Sequence, residues 1–248
     1  MPKLSIVIPA YNEEKRISKT LDEYCKFFNK IYKDNFEIRI ILNGCKDNTL
    51  DVVRNTAKMY KQIKYTDIKE AIGKGGSVIE GFKQAEGELI GFVDADNSTK
   101  AEYFYDLVKN INEYDCAIAS RWIEGAKVNP PQPLKRRIAS RTFNALVRIL
   151  FNINVYDSQC GAKLFKKQAI KEIIPSLGIT RWAFDVDLLY QLKKRKRTIL
   201  EIPTIWSDTL GSNLDIKKAS KEMFLAIARL RLIYSPFKFI VKIYDKLT

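Results

Sequence analysis

The chain has 248 residues, with 43 Lys and Arg against 29 Asp and Glu and no His, so its formal net charge is +14. A hydrophobic share of 46% excludes an intrinsically disordered chain, and the absence of histidine restricts any metal site to carboxylate ligands. The positive charge predicts an anionic partner, which can be a nucleic acid, a phosphorylated ligand or an anionic membrane surface.

Short apolar runs alternate with helical patterns in the first half of the chain. The runs predict strands over residues 4–8, 38–42, 63–67 and 89–93. The patterns between them predict helices over residues 13–28, 49–60 and 75–86. This alternation is typical of β-α-β units and a mostly parallel sheet, in which ligands bind beyond the carboxyl ends of the strands.

The second half of the chain is less regular. Strands are predicted over residues 116–119 and 198–205, and helices over residues 134–151 and 183–194. One or two amphipathic helices are predicted over residues 217–247, interrupted near Pro236. Because no uncharged apolar run reaches the roughly 18 residues of a spanning helix, we predict no membrane-spanning segment.

The four cysteines lie far apart in the sequence. They are Cys25, Cys45, Cys116 and Cys160. Since no C-x-x-C pair is present, the spacing favours neither a zinc site nor a disulfide framework. We expect free thiols, buried or half-buried, in a reducing compartment.

Two carboxylates, Asp94 and Asp96, directly follow the predicted strand over residues 89–93. Carboxylates so placed can face one ligand, and they suit a hard cation such as Mg²⁺ or Mn²⁺ that keeps water and diphosphate oxygens as its other ligands. The D-x-D pattern is common by chance, and the alternative is a pair of solvated acids in a loop.

The loop after the first predicted strand contains Pro9, Tyr11, Asn12 and Glu13. Pro9 ends the strand because it donates no ladder hydrogen bond, and Asn12 is predicted to cap a helix that begins at Glu13. Tyr11 lies beside the expected ligand edge of the sheet, where its ring can stack on a nucleotide base.

Two further turns follow the same rule. Asn43 and Gly44 come after the second predicted strand, as a turn before a helix. The segment Gly73-Lys74-Gly75 opens a helix, where glycines let the backbone approach a phosphate and the lysine adds positive charge. The spacing excludes a Walker A motif, and an ordinary glycine-rich turn is the alternative.

Together, these four segments resemble family 2 glycosyltransferases in their order and spacing, and imply the nucleotide-sugar-binding GT-A fold of that family. The resemblance continues through Ser120-Arg121, Arg136 with Ser140, the segments 157–165 and 181–187, and Glu201-Ile202-Pro203 with Trp206. This later set is most similar to the dolichyl-phosphate β-glucosyltransferase branch, among enzymes that act on polyprenyl phosphates. The resemblance covers the chain from residue 4 to about residue 214.

The resemblance implies roles for individual residues. The nucleotide-sugar pocket would be lined by Pro9, Ala10, Tyr11, Glu13, Asn43, Lys74, Asp94 and Asp96. Of these, Asp94 and Asp96 would hold Mg²⁺ or Mn²⁺. The phosphate of the acceptor would bind Arg121, Arg136, Ser140 and Lys163. The implied catalytic carboxylates are Asp96, Asp157, and Asp185 or Asp187 at the place where relatives acting on hydroxyl acceptors keep a base.

The implied fold class is α/β, a mostly parallel sheet flanked by helices. Residues 1–215 would form the catalytic domain and residues 216–248 amphipathic helices at the membrane interface. The implied reaction is an inverting, metal-dependent transfer of a hexose, glucose from UDP-glucose, to dolichyl or polyprenyl phosphate. The enzyme would work peripherally on the cytoplasmic face of a membrane and supply glycan or glycoprotein assembly.

Chemistry agrees with a phosphate acceptor. A phosphate monoester is already ionised near neutral pH, so transfer needs little general base, which fits a chain without histidine. Bringing two anions together requires a cation for the leaving diphosphate and arginines for the nucleophile, and Arg121, Arg136, Arg137 and Arg141 supply the second.

Three alternatives stay open. The same fold can use GDP-mannose or UDP-GlcNAc as donor, or transfer to a soluble glycan hydroxyl with Asp187 as the base. A basic nucleic-acid-binding protein is a remote alternative, because no arginine-aromatic RNA signature is present. The basic segment 193–197 can be a solvated helix end or a contact with anionic lipid or nucleic acid, and the C-terminal helices can pack on the core or lie on a membrane.

Overall fold

The structure, a computed structural model, describes residues 2–178, 182–207, 216–239 and 241. The strands are β1 (Leu4–Ala10), β2 (Phe36–Asn43), β3 (Ile63–Ile68), β4 (Leu89–Val93), β5 (Cys116–Ser120), β6 (Lys127–Asn129), β7 (Ala162–Lys166), β8 (Ile199–Pro203) and β9 (Ile205–Ser207). The α-helices are α1 (Ile17–Tyr32), α2 (Thr49–Met59), α3 (Gly73–Gln84), α4 (Ala101–Asn110), α5 (Leu134–Phe151), α6 (Lys167–Ile173), α7 (Phe184–Lys194) and α8 (Ile216–Ile233). A 3-10 turn covers Ile174–Ser176.

Seven strands form one sheet in the order β3-β2-β1-β4-β7-β5-β8. All pairings are parallel except those of β7, which runs antiparallel to β4 and β5. Strands β6 and β9 form a separate parallel pair. The mixed α/β architecture with a mostly parallel sheet confirms the predicted fold class.

The sheet is buried on both faces, and most residues on either face of its central strands are apolar. In β1, Ile6 and Ile8 face a core shared with α1 and α4, whereas Val7 faces a second core shared with α3 and α7. Each such side chain is fully buried, which stabilises the fold by about 1.5–3 kcal/mol per large apolar residue.

The four strands predicted in the first half lie within β1 to β4, the strand predicted over 116–119 lies within β5, and the basic helix over 134–151 coincides with α5. The predicted start of α1 is wrong, because the helix begins at Ile17 and no side chain caps it. Asn12 instead has a φ of 54° and accepts a hydrogen bond from the Lys46 N–H at 2.8 Å. It therefore links two loops of the ligand edge rather than capping the helix.

The predicted strand over 198–205 is wrong as one element. It divides into β8 and β9, which belong to different sheets and flank Thr204. Strand β7 was not predicted, because a lysine interrupts its short apolar run.

Ion pairs account for much of the basic segment at the end of α7. Arg197 pairs with Asp115 and Glu172, Arg195 pairs with Glu172, and the Lys193 ammonium donates to the Phe151 carbonyl at 2.9 Å. These contacts within the fold favour the helix-end interpretation of residues 193–197.

Helix α8 shows two kinds of surface. Ile227 and Leu230 are fully buried in the second core, whereas Phe224 and Leu225 are more than half exposed. The predicted domain boundary between residues 215 and 216 adjoins residues 208–215, which lie outside the described residues, and the division into two domains stays a prediction. Among the helices of the described part of the chain, none combines the length and hydropathy needed to cross a membrane.

Candidate active site

The carboxyl ends of β1, β2 and β4 form the walls of a cleft of about 460 Å³, here named the acidic cleft. Its lining residues are Pro9, Ala10, Tyr11, Glu13, Asn43, Ala71, Gly73, Lys74, Asp94, Ala95 and Asp96. All eight residues predicted for the nucleotide-sugar pocket are among them. They meet because β1, β2, β3 and β4 are parallel neighbours, so the loops after them leave the sheet at the same edge; Lys74 follows β3.

Asn43 and Gly44 shape the floor of the acidic cleft. The Asn43 side-chain oxygen accepts a hydrogen bond from the Ile72 N–H at 2.7 Å, which holds the loop before α3 against β2. Gly44 has a φ of 65°, and a Cβ there would lie 2.9 Å from the Ala71 backbone nitrogen, so the turn requires glycine. Asn43 therefore positions the loop that carries Lys74.

The carboxylates of the acidic cleft interact with one another. Burial raises the pKa of Asp94, and neighbouring Asp96 adds to the increase, while Lys74 opposes it. The Lys74 ammonium lies 2.5 Å from Asp94 Oδ1. Burial likewise raises the pKa of Glu13, with Asp96 and Asp94 contributing. Negative charge is thus concentrated here, and the cleft attracts cations.

The donor set of the acidic cleft fits a hard divalent cation. Asp94 and Asp96 offer carboxylate oxygens, and the chain contains no histidine. Among the described residues, no group of three or more carboxylate or thiolate side chains forms a complete metal cage. A cation on this pair would take its other ligands from water and diphosphate oxygens, which is the usual situation of Mg²⁺ and Mn²⁺ at phosphate sites.

Gly161 lies directly against the Asp94 carboxylate and leaves no room for a larger residue. A Cβ on Gly161 would overlap the carboxylate oxygens of Asp94, so only glycine permits the observed position. We predict that Gly161→Ala displaces Asp94 and lowers kcat/KM about 100-fold, because a displacement near 1 Å can cost that much.

The matched control for this substitution is Gly178→Ala, since no heavy atom of the described residues lies within 4 Å of a Cβ at Gly178. Circular dichroism checks that both variants fold, and steady-state kinetics compares them. Equal activity of the two alanine variants would contradict the supporting role of Gly161.

A second charged group is centred on Arg121. Its Nε and Nη2 atoms donate to the two Asp157 oxygens at 2.7 and 2.9 Å. Burial alone would raise the pKa of Asp157, but Arg121 brings it below its usual value. The guanidinium also lies 5.7 Å from the Trp122 ring centre and 5.3 Å from that of Trp206. Asp157 is fully buried and fixes the orientation of Arg121.

Glu201 completes this group, and the sequence assigned it no role. Its carboxylate accepts the Tyr156 and Asp157 N–H groups at 2.7 and 2.9 Å. Burial raises the pKa of Glu201. The sequence does indicate this role, because Glu201 is an acid within the otherwise apolar strand β8. Since β8 pairs with β5 in the sheet, an acid at this position requires a partner.

Lys163 does not occupy the position predicted for it. Its side chain is fully buried, and its ammonium donates to Asp185 Oδ1 at 2.5 Å and to the Cys160 carbonyl at 2.7 Å. A direct contact with an acceptor phosphate disagrees with this burial, and the prediction for Lys163 is corrected accordingly. The residue instead anchors α7 to the sheet.

The two acids of α7 point to different neighbours. Asp185 is bound by Lys163. The pKa values of Asp94 and Lys74 depend mainly on burial and on the pairing of these two residues, and the nearby charge of Asp185 raises both values further. Asp187 is fully buried and accepts the Tyr234 hydroxyl at 2.6 Å, beside α8. Of the pair, Asp185 therefore lies nearer the acidic cleft.

A second cavity of about 460 Å³, here named the arginine groove, runs between α5 and α8. It is lined by Arg121, Arg136, Ala139, Ser140, Thr142, Phe143, Leu146, Gln159, Trp182, Ser220, Met223 and Phe224. Three of the four residues predicted to bind the acceptor phosphate thus lie together. Arg181 belongs to the segment 181–187 on which the family resemblance rests, and it lies outside the described residues.

The walls of the arginine groove come from two helices that pack through buried residues. Phe143, Val147 and Phe151 of α5 recur at a spacing of four and face the core. Arg136 and Ser140 lie on the same side of the helix, nearer its N-terminus, where that side borders the groove.

Burial would lower the pKa of Arg121, yet Asp157 and, more weakly, Asp94 hold it above its usual value. Arg121 therefore lies between the two cavities and within electrostatic reach of the acidic cleft.

Comparison with known proteins agrees with this arrangement. The family model for glycosyl transferase family 2 matches residues 5–174. A dolichyl-phosphate β-glucosyltransferase of Dictyostelium discoideum is 35% identical over 246 residues, covering 93% of this chain and 74% of that protein. One of Trichomonas vaginalis is 34% identical over 223 residues, covering 86% of this chain and 66% of that protein.

A solved structure shares the fold. It is glucosyl-3-phosphoglycerate synthase from Mycobacterium tuberculosis in complex with Mn²⁺, UDP and glucosyl-3-phosphoglycerate, with a TM-score of 0.66 at 15% identity over 91% of this chain and 78% of that one. The GT-A fold implied by the sequence is thereby confirmed. With a family model that matches most of its length and relatives more than 30% identical, the chain belongs to glycosyl transferase family 2.

Proposed function

We propose that this enzyme transfers glucose from UDP-glucose to dolichyl or another polyprenyl phosphate, with inversion at the anomeric carbon and with a divalent cation. The names of its relatives support the reaction class, since those proteins are dolichyl-phosphate β-glucosyltransferases. The single observation that carries the proposal is the composition of the arginine groove.

The arginine groove combines a cationic end with apolar walls. Arg121, Arg136 and Ser140 can donate to phosphate oxygens, and Phe143 and Leu146 continue the groove as apolar surface. A lipid with an anionic head and a hydrocarbon tail matches this arrangement, because the head can bind the cationic end and the tail can lie along the apolar walls. A soluble glycan has no apolar tail, so it would leave the walls without a partner.

The acidic cleft is the place for the donor. A divalent cation on Asp94 and Asp96 would neutralise the diphosphate as it leaves. Lys74 adds a positive charge on the same side. Tyr11 is half exposed at the rim of the cleft, where its ring can stack on the base.

The arginine groove holds the nucleophile. Asp157 fixes the Arg121 guanidinium, and Arg136 and Ser140 complete a set of donors that orients the acceptor phosphate. A phosphate oxygen forms the bond to the anomeric carbon while the bond from that carbon to the diphosphate breaks, and attack from the opposite face inverts the centre. No proton leaves the acceptor, which is already ionised.

The acids of α7 support a reaction without a general base. Asp185 is bound by the Lys163 ammonium, and Asp187 is bound by the Tyr234 hydroxyl. Both carboxylates hold structural partners instead of facing the arginine groove. This arrangement favours the phosphate acceptor over a hydroxyl acceptor.

A peripheral position at the cytoplasmic face of a membrane follows from the acceptor. The exposed apolar side chains Phe224, Leu225, Phe237 and Phe239 lie on and just after α8, which forms one wall of the arginine groove. Arg229, Arg231 and Lys238 lie among them in the sequence. Such a mixture suits an anionic bilayer surface, and four free cysteines suit a reducing compartment.

Arg136→Gln tests the acceptor site. We expect the KM for polyprenyl phosphate to rise about ten- to a hundredfold, as for loss of a charge-assisted hydrogen bond, with an unchanged KM for the donor. Lys135→Gln is the matched control, because Lys135 is an exposed neighbour on α5 that does not line the groove. An equal loss of affinity for both substrates would remove Arg136 from the acceptor site.

The proposed reaction is tested by a donor screen. UDP-glucose, UDP-GlcNAc and GDP-mannose are each offered with a short polyprenyl phosphate and Mn²⁺ or Mg²⁺, and the lipid product is weighed by mass spectrometry. A hexose on the lipid from UDP-glucose supports the proposal. A product from GDP-mannose or UDP-GlcNAc would replace the donor, and a water-soluble product would replace the acceptor.

A further inference from the structure

Helix α5 presents arginines on two faces. Arg136 and Ser140 line the arginine groove, whereas Arg137 and Arg141 line an adjoining cavity of about 290 Å³, here named the basic pocket. Arg121 borders both cavities. The remaining residues of the basic pocket are Trp122, Ile123, Ala126, Val128, Pro131 and Gln132.

Two of the three arginines of the basic pocket have no ion-pair partner among the residues that the structure describes. Asp157 neutralises Arg121, but no carboxylate in the described parts of the chain forms an ion pair with Arg137 or Arg141. The Arg141 guanidinium lies 5.4 Å from the centre of the Trp122 ring. Guanidinium groups that share one partly enclosed cavity repel each other, and an anion between them would remove that repulsion.

Trp122 supplies an independent sign of a missing acceptor. Its indole N–H is buried, and among the described residues it has no hydrogen-bond partner. Buried donors in native proteins are nearly always paired, so an orphan donor that borders a cavity points to a ligand acceptor. Trp122, which carries this donor, and the positive charges line the same cavity, so one anionic ligand can serve both.

The size of the basic pocket favours a small anion. Its volume of about 290 Å³ lies just below the ~300–1,000 Å³ of pockets that enclose drug-sized ligands. Arginine side chains bind phosphate oxygens through paired N–H donors, and two of them one helical turn apart can hold one tetrahedral group. The charge of the basic pocket therefore favours a phosphate group over a neutral sugar.

The surroundings of the basic pocket indicate where the phosphate comes from. Leu134 and Ile138 precede and follow Arg137 on α5, and their exposures are 68% and 57%. Exposed apolar side chains between arginines are typical of a helix that lies at the level of lipid headgroups. The same helix forms a wall of the arginine groove, so a bilayer that delivers the acceptor also reaches Leu134.

We propose that the basic pocket binds the phosphate of an anionic lipid headgroup, at a site separate from the one that holds the acceptor phosphate. The bilayer as the source of this phosphate rests on the proposed function. A phosphate bound at Arg137 and Arg141 fixes α5 against the membrane surface, with the arginine groove open toward the lipid.

The experiment compares Arg137→Gln/Arg141→Gln with Lys19→Gln/Lys30→Gln, which removes the same charge from exposed positions of α1. Full-length proteins are floated with phosphatidylcholine vesicles, with or without phosphatidic acid, and inorganic phosphate binding is measured by calorimetry. Without donor or acceptor present, the outcome is independent of transferase activity. Circular dichroism and thermal unfolding establish that each variant is folded.

We expect wild type to bind phosphatidic-acid vesicles and the arginine variant to bind them about thirtyfold more weakly, from about 1 kcal/mol per basic residue at the surface. The lysine variant should lose less than about threefold, since no residue of α1 lines the basic pocket or the arginine groove. An equal loss in both variants would overturn the proposal, because it indicates nonspecific charge. Arginine-dependent binding of inorganic phosphate without vesicle binding would overturn the lipid source.

Discussion

Asp96→Ala abolishes transfer in our expectation, with a loss of at least about 10³-fold in kcat/KM. The reason is that Asp96 is half of the carboxylate pair of the acidic cleft, and metal-ion stabilisation of a leaving diphosphate amounts to several kcal/mol. The fold should persist, because the side chain is partly exposed at a strand end. Kinetics, thermal unfolding and Mn²⁺ binding followed by electron paramagnetic resonance together measure the effect.

Asp51→Ala is the matched control for Asp96→Ala. Asp51 is an exposed acid of α2 that pairs with Arg54 outside the acidic cleft. It should retain activity and Mn²⁺ binding. If Asp96→Ala turned over donor at the wild-type rate, the metal role of the pair would be wrong.

Asp157→Asn should have the second largest effect. It should lower the stability of the fold and also weaken binding of the acceptor. Removing the charge leaves the Arg121 guanidinium without its counter-ion, and breaking a buried ion pair costs about 3–5 kcal/mol. Urea unfolding measures this loss. The KM for polyprenyl phosphate should rise as well, because Arg121 loses the group that orients it.

A double-mutant cycle with Arg121→Gln separates the pair from its surroundings. We expect the double variant to be less destabilised than the sum of the single variants, because neither charge is then left unpaired. Additive losses of unfolding free energy would show that Asp157 and Arg121 act independently.

The acidic cleft was predictable from the sequence because its parts follow strands. Once β1, β2, β3 and β4 are identified as parallel neighbours, the residues after them must meet at one edge, whatever the details of the loops. Asp94, Asn43 and Lys74 were found in this way. The hydrophobic pattern identifies the strands, and the topology of the sheet then determines which strand ends are neighbours.

The roles of buried charged residues were less predictable. Lys163 and Asp185 matched a family segment, but only the antiparallel position of β7 beside β4 shows that the lysine faces inward to α7. Asn12 fitted a helix cap by its residue type, yet a contact with Lys46 from a distant loop determines its conformation. Such outcomes depend on tertiary neighbours, which local sequence patterns do not contain.

The arginine groove illustrates an intermediate case. The amphipathic pattern of α5 was clear, and its basic residues were expected near a phosphate. The division of those residues between two cavities depends on which elements pack beside the helix. Met223 and Phe224 of α8 complete the groove, and they are distant from Arg136 in the sequence.

Helix α7 has a consequence for how the two substrates are coordinated. On one side, Asp185 joins it to Lys163 beneath the acidic cleft, and on the other, Asp187 joins it to Tyr234 at the end of α8. One short helix is therefore held at two points by buried carboxylates, one toward the acidic cleft and one toward α8. The donor side and the acceptor side of the molecule thus have α7 as a common neighbour.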